Sequence, residues 1–309
     1  MRVVFVATGD IALPTWDWLA QSSCQIVALV TQPDKPAGRK MQLTPPTIKL
    51  RAIAAGIPVL QPESLRKKSA IDAVVALSPD LIVVMAYGQI LTERFLAIPP
   101  LGCINLHASL LPKYRGAACI QAAIDEGNEC TGVTVMHMVR ELDAGDIILQ
   151  KTVPIREQET GGSLHDALAA LAPAAIAEAL EIFAAGRSPR QAQDAVLVSY
   201  VGKLTREDGR LSWNSSACAV ERRVRAYDPW PGTYTTMMQG LRVKVFPPVK
   251  VVEGIEIDAG TTEIHDHQLL VGCAEGALAL SDIQIEGGKR MRAMDFARGH
   301  RGGIRFLPQ

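Results

Sequence analysis

The chain has 309 residues, of which 48% are apolar and 21% charged, a composition typical of globular proteins and a length sufficient for two domains. Its 32 basic residues balance 32 acidic ones, which excludes a whole-molecule positive field as a means of binding nucleic acid. The six cysteines form no C-x-x-C pair, and the apolar runs are too short for a signal peptide or for the ~18 residues of a membrane span, so we expect a cytoplasmic protein with buried thiols.

Short β-branched runs alternate with helix-like segments through the first 155 residues. The predicted strands are Val3–Ala7, Ile26–Thr31, Leu81–Ala86, Cys103–Leu106 and Val133–Val139, and the predicted helices are Leu13–Gln21, Ile48–Ala55, Ile71–Leu77 and Ala117–Glu126. Continuous apolar strands separated by helices predict an α/β fold, a Rossmann-like, doubly wound, mostly parallel sheet. A long apolar helix, Ser163–Ala185 with Ser163 as its N-cap, ends this domain at Gly186.

The pattern changes after residue 186. Residues 187–205 mix Pro189, Gly202 and polar side chains, as a linker does. Beyond the linker lie shorter strand-like runs and one helix-like stretch, and this combination favours a small OB-like β-barrel; the runs are Arg242–Phe246, Gln268–Cys273 and Ala277–Ile283, and the helix is Ala217–Ala226. The predicted domains are therefore 1–186, a linker over 187–205, and 206–309.

Asn105 and His107 lie two residues apart at the end of a predicted strand, so alternation places them on one side of it. Ligands of open α/β sheets bind beyond such strand ends. Asp143 follows another predicted strand, although an Asp before a glycine is also a common turn former. An amide, an imidazole and a carboxylate without a Ser or Cys nucleophile suit acyl transfer to an amine, which needs oxyanion donors and a proton acceptor. A satisfied structural histidine is the alternative for His107.

Two long segments resemble the signatures of the folate-dependent formyltransferases. The first is Asn105–Gly116, and the second combines Gly132–Thr134 with Leu142–Asp146. The resemblance runs from end to end of the chain and includes Pro33–Arg39 and Tyr227–Thr233. Within this family the chain is most similar to the members that formylate initiator methionyl-tRNA.

The resemblance implies a donor, an acceptor and a set of site residues. The donor would be 10-formyltetrahydrofolate and the acceptor the α-amino group of methionine on initiator tRNA, giving N-formylmethionyl-tRNA for translation initiation. Asn105, His107 and Asp143 match the catalytic positions, with no metal, in a protein expected to be a monomer. The residues that match folate-binding positions are Ser109, Leu110, Leu111, Pro112, Gly88, Gln89, Ile90, Leu91, Met138, Val139 and Leu142.

A basic loop spans residues 32–49 and carries Lys35, Arg39, Lys40 and Lys49. A loop of this length in a compact domain is usually functional or disordered. By resemblance it corresponds to the insertion that reaches the tRNA acceptor end, and Arg39 matches a basic residue used there. A flexible, solvated loop is the alternative.

Two departures from the family pattern and two alternative functions remain open. Cys119 stands where the family usually has proline, and Lys40–Leu43 is less basic than is common in the family. The clusters Arg222-Arg223-x-Arg225 and Lys289-Arg290-x-Arg292 are either RNA contacts or solvated charges. The alternative functions are a formyltransferase acting on an amino-sugar nucleotide and an RNA-binding protein without catalysis.

Overall fold

The chain forms two compact units, seen in a computed structural model that describes residues 1–38, 41–299 and 304–308. The first unit comprises Met1–Gly116, Thr131–Val153 and His165–Tyr200. The second comprises Ala117–Cys130, Pro154–Leu164 and Val201–Gln309. Two segments that precede the predicted linker therefore pack with the second unit.

The described helices and strands follow the alternation read from the sequence. The helices are α1 (Leu13–Gln21), α2 (Thr47–Ala54), α3 (Lys68–Val75), α4 (Glu93–Leu96), α5 (Cys119–Asp125), α6 (Gly161–Ala184), α7 (Ala217–Ala226) and α8 (Ala293–Gly299). The strands are β1 (Arg2–Ala7), β2 (Gln25–Val30), β3 (Lys35–Ala37), β4 (Gln42–Thr44), β5 (Val59–Leu60), β6 (Leu81–Met85), β7 (Cys103–His107), β8 (Arg115–Gly116), β9 (Cys130–His137), β10 (Ile147–Pro154), β11 (Tyr200–Val201), β12 (Thr233–Thr236), β13 (Arg242–Val252), β14 (Thr262–His265), β15 (Gln268–Gly272), β16 (Ala277–Ile285) and β17 (Met291–Arg292).

Among the described residues the first unit is built on a seven-stranded sheet of order β10-β9-β7-β6-β1-β2-β5. The pairings from β5 to β7 are parallel, whereas β7 and β9 are antiparallel, so the sheet is mixed. Val4 and Val6 belong to a buried cluster with Ile71 of α3, while Phe5 contacts Trp16 of α1 at 6.3 Å between ring centroids. Since alternate residues of one strand point to opposite faces, helices cover both faces, which confirms the predicted α/β class.

Helix α6 begins two residues before the predicted N-cap. Thr160 accepts a hydrogen bond from the Ser163 N–H at 3.2 Å, and the Ser163 hydroxyl contacts the Thr160 N–H at 3.0 Å. This reciprocal pattern makes Thr160 the capping residue, so the prediction of Ser163 as N-cap was wrong. By length and composition α6 could cross a membrane, yet Leu164, Leu168 and Ile176 are wholly buried within the protein, as in the core helix of a folded domain.

The second unit contains a six-stranded sheet whose described strands follow the order β12-β13-β16-β15-β14, with β17 beside β16. One face covers a core that includes Trp213, Val243 and Phe306. The chain near residue 305 makes isolated bridges to Met237 and to Thr261, but no closed barrel is present among the strands that the structure describes. The OB-like barrel therefore stays a prediction.

Three of the six cysteines are buried and two are exposed. Burial raises the pKa of Cys103 and of Cys273 to about 12, which keeps these thiols protonated and unreactive. Cys119 begins α5 and is also buried, so it fills the first helical turn as a small apolar residue. The expectation of buried thiols is confirmed for these three, whereas Cys130 and Cys218 are exposed.

Candidate active site

Asn105 and His107 are carried by β7, which is an interior strand of the sheet. Every residue of β7 is buried. Asn105 lies opposite Met136 and His107 opposite Thr134 in the register with β9. Their separation of two residues puts both side chains on the same face of the strand, as predicted. An amide and an imidazole are thus fixed side by side where β7 ends.

Two different groups face the two nitrogens of the His107 ring. The Nε2 atom lies 3.0 Å from the carbonyl oxygen of Tyr114, and the Nδ1 atom lies 3.7 Å from Oδ2 of Asp143. A carbonyl only accepts hydrogen bonds, so Nε2 carries a hydrogen. Nδ1 is therefore the nitrogen that can exchange a proton, and it faces a carboxylate.

Asp143 reaches this position by a route that the strand pattern did not predict. Because β9 runs antiparallel to β7, the end of β9 points away from the end of β7, and the loop after β9 must return along the sheet. At the base of the loop the His137 N–H donates to the Asp146 carbonyl at 2.9 Å. A Cβ on Gly145 would lie 1.7 Å from the His137 carbonyl oxygen, so this return requires glycine. Asp143 thus follows a strand, as predicted, but the return of this loop brings it to His107, and the direction of β9 does not.

The Asp143 carboxylate is held by a backbone donor. The Gly116 N–H donates to Oδ2 at 2.8 Å, and the carboxylate side chain is 14% exposed against 7% for His107. The same oxygen thus faces an amide hydrogen and the Nδ1 atom of His107. A backbone amide cannot change rotamer, so the carboxylate is oriented before any substrate arrives.

The segment after His107 supplies two half-exposed side chains and two buried ones. The Ser109 hydroxyl donates to the Lys113 carbonyl at 2.7 Å, and Leu111 belongs to a small buried cluster. Leu110 and Pro112 are half-buried. Within the predicted folate stretch, Leu110 and Pro112 are therefore the partly accessible side chains, whereas Ser109 and Leu111 are used inside the protein.

The loop after β6 contains the predicted residues Gly88, Gln89, Ile90 and Leu91. Leu91 is buried in the core cluster against which Met138 packs, whereas Ile90 is 66% exposed. The Gln89 amide donates to the Glu63 carbonyl at 3.3 Å.

Val139 and Leu142, in the loop that carries Asp143, are 38% and 59% exposed. Together with Ile90 they are exposed apolar side chains on the loops that leave β6 and β9. Single exposed apolar residues are common on protein surfaces, but these three belong to the loops for which the sequence predicts an aromatic ligand.

The basic loop contains a hairpin rather than an unstructured segment. Strands β3 and β4 pair antiparallel within it, and Lys49 lies on α2 instead of in the loop. The Lys35 ammonium donates to the Gln32 side chain. Arg39 and Lys40 lie outside the described residues.

Lys49 already has an internal partner. Its ammonium lies 2.8 Å from the carboxylate of Asp34, and Gln61 donates to the same carboxylate at 2.7 Å. These hydrogen bonds, that of Gln61 first, lower the pKa of Asp34. Lys49 is thus less available to an external phosphate than Lys35, which lies on the exposed hairpin.

Sequence reasoning missed Arg115 and Gln193 as parts of this site. Arg115 is only 8% exposed and donates to Gln193 Oε1 from Nε at 3.1 Å and from Nη2 at 2.8 Å. In the sequence, Arg115 lies inside the first family motif without a role of its own, and Gln193 lies in the predicted linker. A charged residue directly before Gly116 was the available signal for Arg115, but no local pattern pointed to Gln193.

Among residues 1–38, 41–299 and 304–308, no group of three or more His, Cys, Asp or Glu side chains is arranged to hold a metal ion. The site residues that the structure describes are instead an amide, an imidazole, a carboxylate and backbone groups.

Comparison with known proteins identifies the family. Residues 1–180 match the formyl transferase family, and residues 203–301 match the formyl transferase C-terminal domain. A methionyl-tRNA formyltransferase of Akkermansia muciniphila is 47% identical over 305 residues, 97% of each chain. One of Geotalea daltonii is 43% identical over 302 residues, 97% of this chain and 96% of that one.

Solved structures share the fold at low sequence identity. HypX from Aquifex aeolicus in complex with tetrahydrofolic acid has a TM-score of 0.61 and 18% identity, covering 98% of this chain and 48% of that one. The sugar 3N-formyl transferase WlaRD, solved in the presence of dTDP and 5-N-formyl-THF, has a TM-score of 0.65 and 14% identity over 91% of this chain and 96% of that one. These similarities are to the fold alone, whereas the sequence matches cover both halves of the chain. The chain therefore belongs to the formyl transferase family.

Proposed function

We propose that this protein transfers a formyl group from 10-formyltetrahydrofolate to the α-amino group of methionyl-initiator tRNA, acting as a monomer in the cytoplasm. The observation that carries the proposal is the approach of Asp143 Oδ2 to His107 Nδ1 at 3.7 Å in a chain 47% identical to a methionyl-tRNA formyltransferase. A buried imidazole beside an oriented carboxylate is the arrangement that general acid–base catalysis of acyl transfer requires.

The proposed reaction assigns a role to each of three side chains. The amine nitrogen bonds to the formyl carbon, and the developing oxyanion accepts hydrogen bonds from the Asn105 amide and from protonated Nδ1 of His107. The bond between the formyl carbon and folate N10 then breaks, and a proton lost by the amine reaches N10. Asp143 either favours the protonated imidazole or accepts the amine proton through water. No nucleophilic side chain is needed, because the substrate amine attacks.

The residues present fit a folate donor. Ile90, Val139 and Leu142 offer apolar surface for a pterin ring, and in this proposal backbone groups of the loop at 88–91 would meet its polar edge. Binding pockets of this kind combine apolar walls with a few polar groups. Leu110 and Pro112, which are half-buried in the segment after His107, are the further side chains proposed to contact the folate.

The hairpin β3–β4 is the proposed contact with the acceptor end of tRNA. Lys35, Arg39 and Lys40 would meet phosphates, while Lys49 supports the hairpin through its ion pair with Asp34.

We further propose that the second unit is an OB-type tRNA-binding domain, in keeping with the predicted division at residues 187–205. One arginine cluster is unsuited to this role, because its side chains have partners inside the unit. Arg223 pairs with the Asp125 carboxylate at 2.6 Å, and Arg225 donates to the Glu159 carbonyl at 2.9 Å. The hydrogen bond to Asp125 raises the pKa of Arg223. This cluster joins α7 to α5 and is structural.

Arg290 of the second cluster and the separate Arg242 lie beside aromatic rings on the solvent face of the sheet. Arg242 lies 4.2 Å from the ring centroid of Tyr234, and Arg290 lies 4.3 Å from that of Phe246. The register places Tyr234 opposite Lys244 and hence on the same face. We call this surface the outer face; it consists of Tyr234, Arg242, Lys244, Phe246, Arg290 and Arg292.

The composition of the outer face matches the chemistry of RNA. Cations contact phosphates and release counterions, while flat rings stack on bases. One carboxylate, Asp282, lies on the same face and pairs with Arg290 at 2.9 Å. The four cations of the outer face therefore outnumber this acid. Local charge of this kind is what a neutral protein requires in order to bind RNA.

The alternative acceptor, an amino-sugar nucleotide, is supported only by structures that are 13% to 18% identical. The test is to offer formyl-labelled folate with initiator Met-tRNA or with a nucleotide-linked amino sugar, and to measure single-turnover transfer. We expect label on Met-tRNA alone. Label on the sugar, or none on either acceptor with folate bound, contradicts the proposal. The second result would favour a binding protein without catalysis.

A further inference from the structure

We propose that Gln193 is a positioning residue that holds Asp143 in the conformation aimed at His107. The inference rests on the proposed function insofar as Asp143 acts in formyl transfer. Gln193 lies in the segment predicted as a linker, and its place in the site follows from four hydrogen bonds of one side-chain amide.

The backbone of Asp143 needs an external hold. Its φ is +49°, in the left-handed region that residues other than glycine enter seldom, and then usually under constraint from their surroundings. The Nε2 group of Gln193 donates to the carbonyl of Asp143 and to that of Gly145, both at 2.8 Å. These carbonyls flank Ala144, so a single amide group closes the turn.

Arg115 fixes which way the Gln193 amide points. A guanidinium is only a donor, and it meets Oε1 of Gln193 through Nε and Nη2 at 3.1 and 2.8 Å. Oε1 must therefore face Arg115, which leaves both N–H groups for the turn. Arg115 is itself anchored, because its Nη1 donates to the hydroxyl of Tyr200 at 3.1 Å.

The same short segment holds the two reacting side chains. Tyr114 accepts from Nε2 of His107 at 3.0 Å, and the Gly116 N–H donates to the Asp143 carboxylate at 2.8 Å. Arg115 lies between these two residues in the chain. Gln193 thus ties the backbone of the Asp143 turn to the segment that orients both the imidazole and the carboxylate. Without the amide, the left-handed turn can relax and move the carboxylate away from Nδ1.

The first test compares substitutions that break different parts of the amide network. Gln193→Met keeps the length of the side chain and removes all four hydrogen bonds. Gln193→Glu keeps the acceptor for Arg115 but turns an oxygen toward the two carbonyls. We expect each to lower the single-turnover rate about 10- to 100-fold, the size typical of a misplaced catalytic group, with KM for the folate changed less than about twofold. The matched control is Gln191→Met, since Gln191 is exposed and pairs with Ile147 through backbone atoms.

A double-mutant cycle separates positioning from a merely structural role. In an Asp143→Asn background, Gln193→Met should cause little further loss, because its effect passes through Asp143. If the rate losses of the two single variants multiply in the double variant, or if either Gln193 variant turns over like wild type, the proposal is overturned. Hydrogen exchange at the Gly116 amide provides a readout that does not depend on activity. It should be faster in Gln193→Met than in wild type, and unchanged exchange would also overturn the proposal. Failure of wild type to formylate Met-tRNA would instead count against the proposed function.

Discussion

The pair formed by His107 and Asp143 in the first unit and the outer face of the second unit are held in different ways. His107 and the Asp143 carboxylate each meet a backbone group, the Tyr114 carbonyl and the Gly116 amide. On the outer face, Arg242 stacks on Tyr234 and remains exposed. Backbone hydrogen bonds within a buried site fix a single geometry, whereas stacked surface cations can adjust to a partner. We therefore expect substitutions in the pair to act on the rate of chemistry, and substitutions on the outer face to act on tRNA affinity in small, additive steps.

The largest effect is expected from His107→Ala. Loss of a general acid–base group lowers turnover by roughly 10²–10⁴-fold, and binding of folate and of tRNA should change little. The measurement is single-turnover formyl transfer with both ligands saturating. His265→Ala, at an exposed position of the second unit, is the matched control. Near-normal turnover in His107→Ala would remove the imidazole from the chemistry.

Arg39→Ala tests the basic loop, which belongs to the first unit. We expect substitutions in this loop, like those on the outer face, to act on tRNA and not on the rate of chemistry. A lost charge-assisted contact with phosphate should lower kcat/KM for Met-tRNA about tenfold or more, while the affinity for tetrahydrofolate stays the same. Lys68→Ala, an exposed cation on α3, serves as control. An equal loss of folate affinity would show that the hairpin does not act on tRNA.

The affinity of the outer face for tRNA should fall in proportion to the positive charge removed. Arg242→Ala and Lys244→Ala should each raise KM for tRNA several-fold and reduce the slope of log affinity against log salt by about 1 per lost phosphate contact. The measurement is a salt titration of tRNA binding. Arg298→Ala removes an exposed cation from α8 and should leave the slope as it is. If both substitutions on the outer face leave the slope unchanged, the RNA surface lies elsewhere.

Point substitutions are preferable to removing the chain from Lys203 onward. Residues 117–130 and 154–164 pack with the second unit. A truncation would leave Asp125 without the partner that it has in Arg223, and would therefore disturb more than RNA binding.

The smallest effect concerns stability and pH. Burial lowers the pKa of His137 below its ordinary value of 6.5, against the opposing effect of a hydrogen bond to the Pro189 carbonyl. As the pH falls through about 6.5, the unfolded chain takes up a proton that the folded protein does not, so stability is lost with falling pH over this window. The free energy of unfolding should therefore decline more steeply from about pH 7 to 5 in wild type than in His137→Gln. Parallel curves would contradict this, and His265→Gln is the exposed control.

Sequence alone was sufficient where structure depends on local periodicity. Helices α1 and α7 begin and end at the predicted residues, and β1, β6 and β7 lie within one or two residues of prediction. Their apolar and β-branched runs carry the information locally. The position of Asn105 and His107 on the same face of β7 followed from the same alternation.

Pairing partners and distant contacts required the tertiary structure. The direction of β9 depends on which neighbour it pairs with, and an apolar strand carries no mark of direction. The hairpin β3–β4 was predicted only as a loop, because its strands are three residues long and the residues of β4 are exposed. The role of Gln193 depends on contacts with residues 48 and 50 positions away.

The sequence by itself determined the α/β class and the family, and it singled out Asn105, His107 and Asp143 as candidate catalytic residues, because each of these depends on motifs and on side-chain alternation within one segment. Tertiary structure alone decided that the loop after β9 returns to His107, that the Gln193 amide donates to two carbonyls of the Asp143 turn, and that one arginine cluster is internal while the other faces solvent. The physical reason is that hydrogen bonds and ion pairs between distant segments depend on how the backbone brings those segments together, and local spacing does not encode that arrangement.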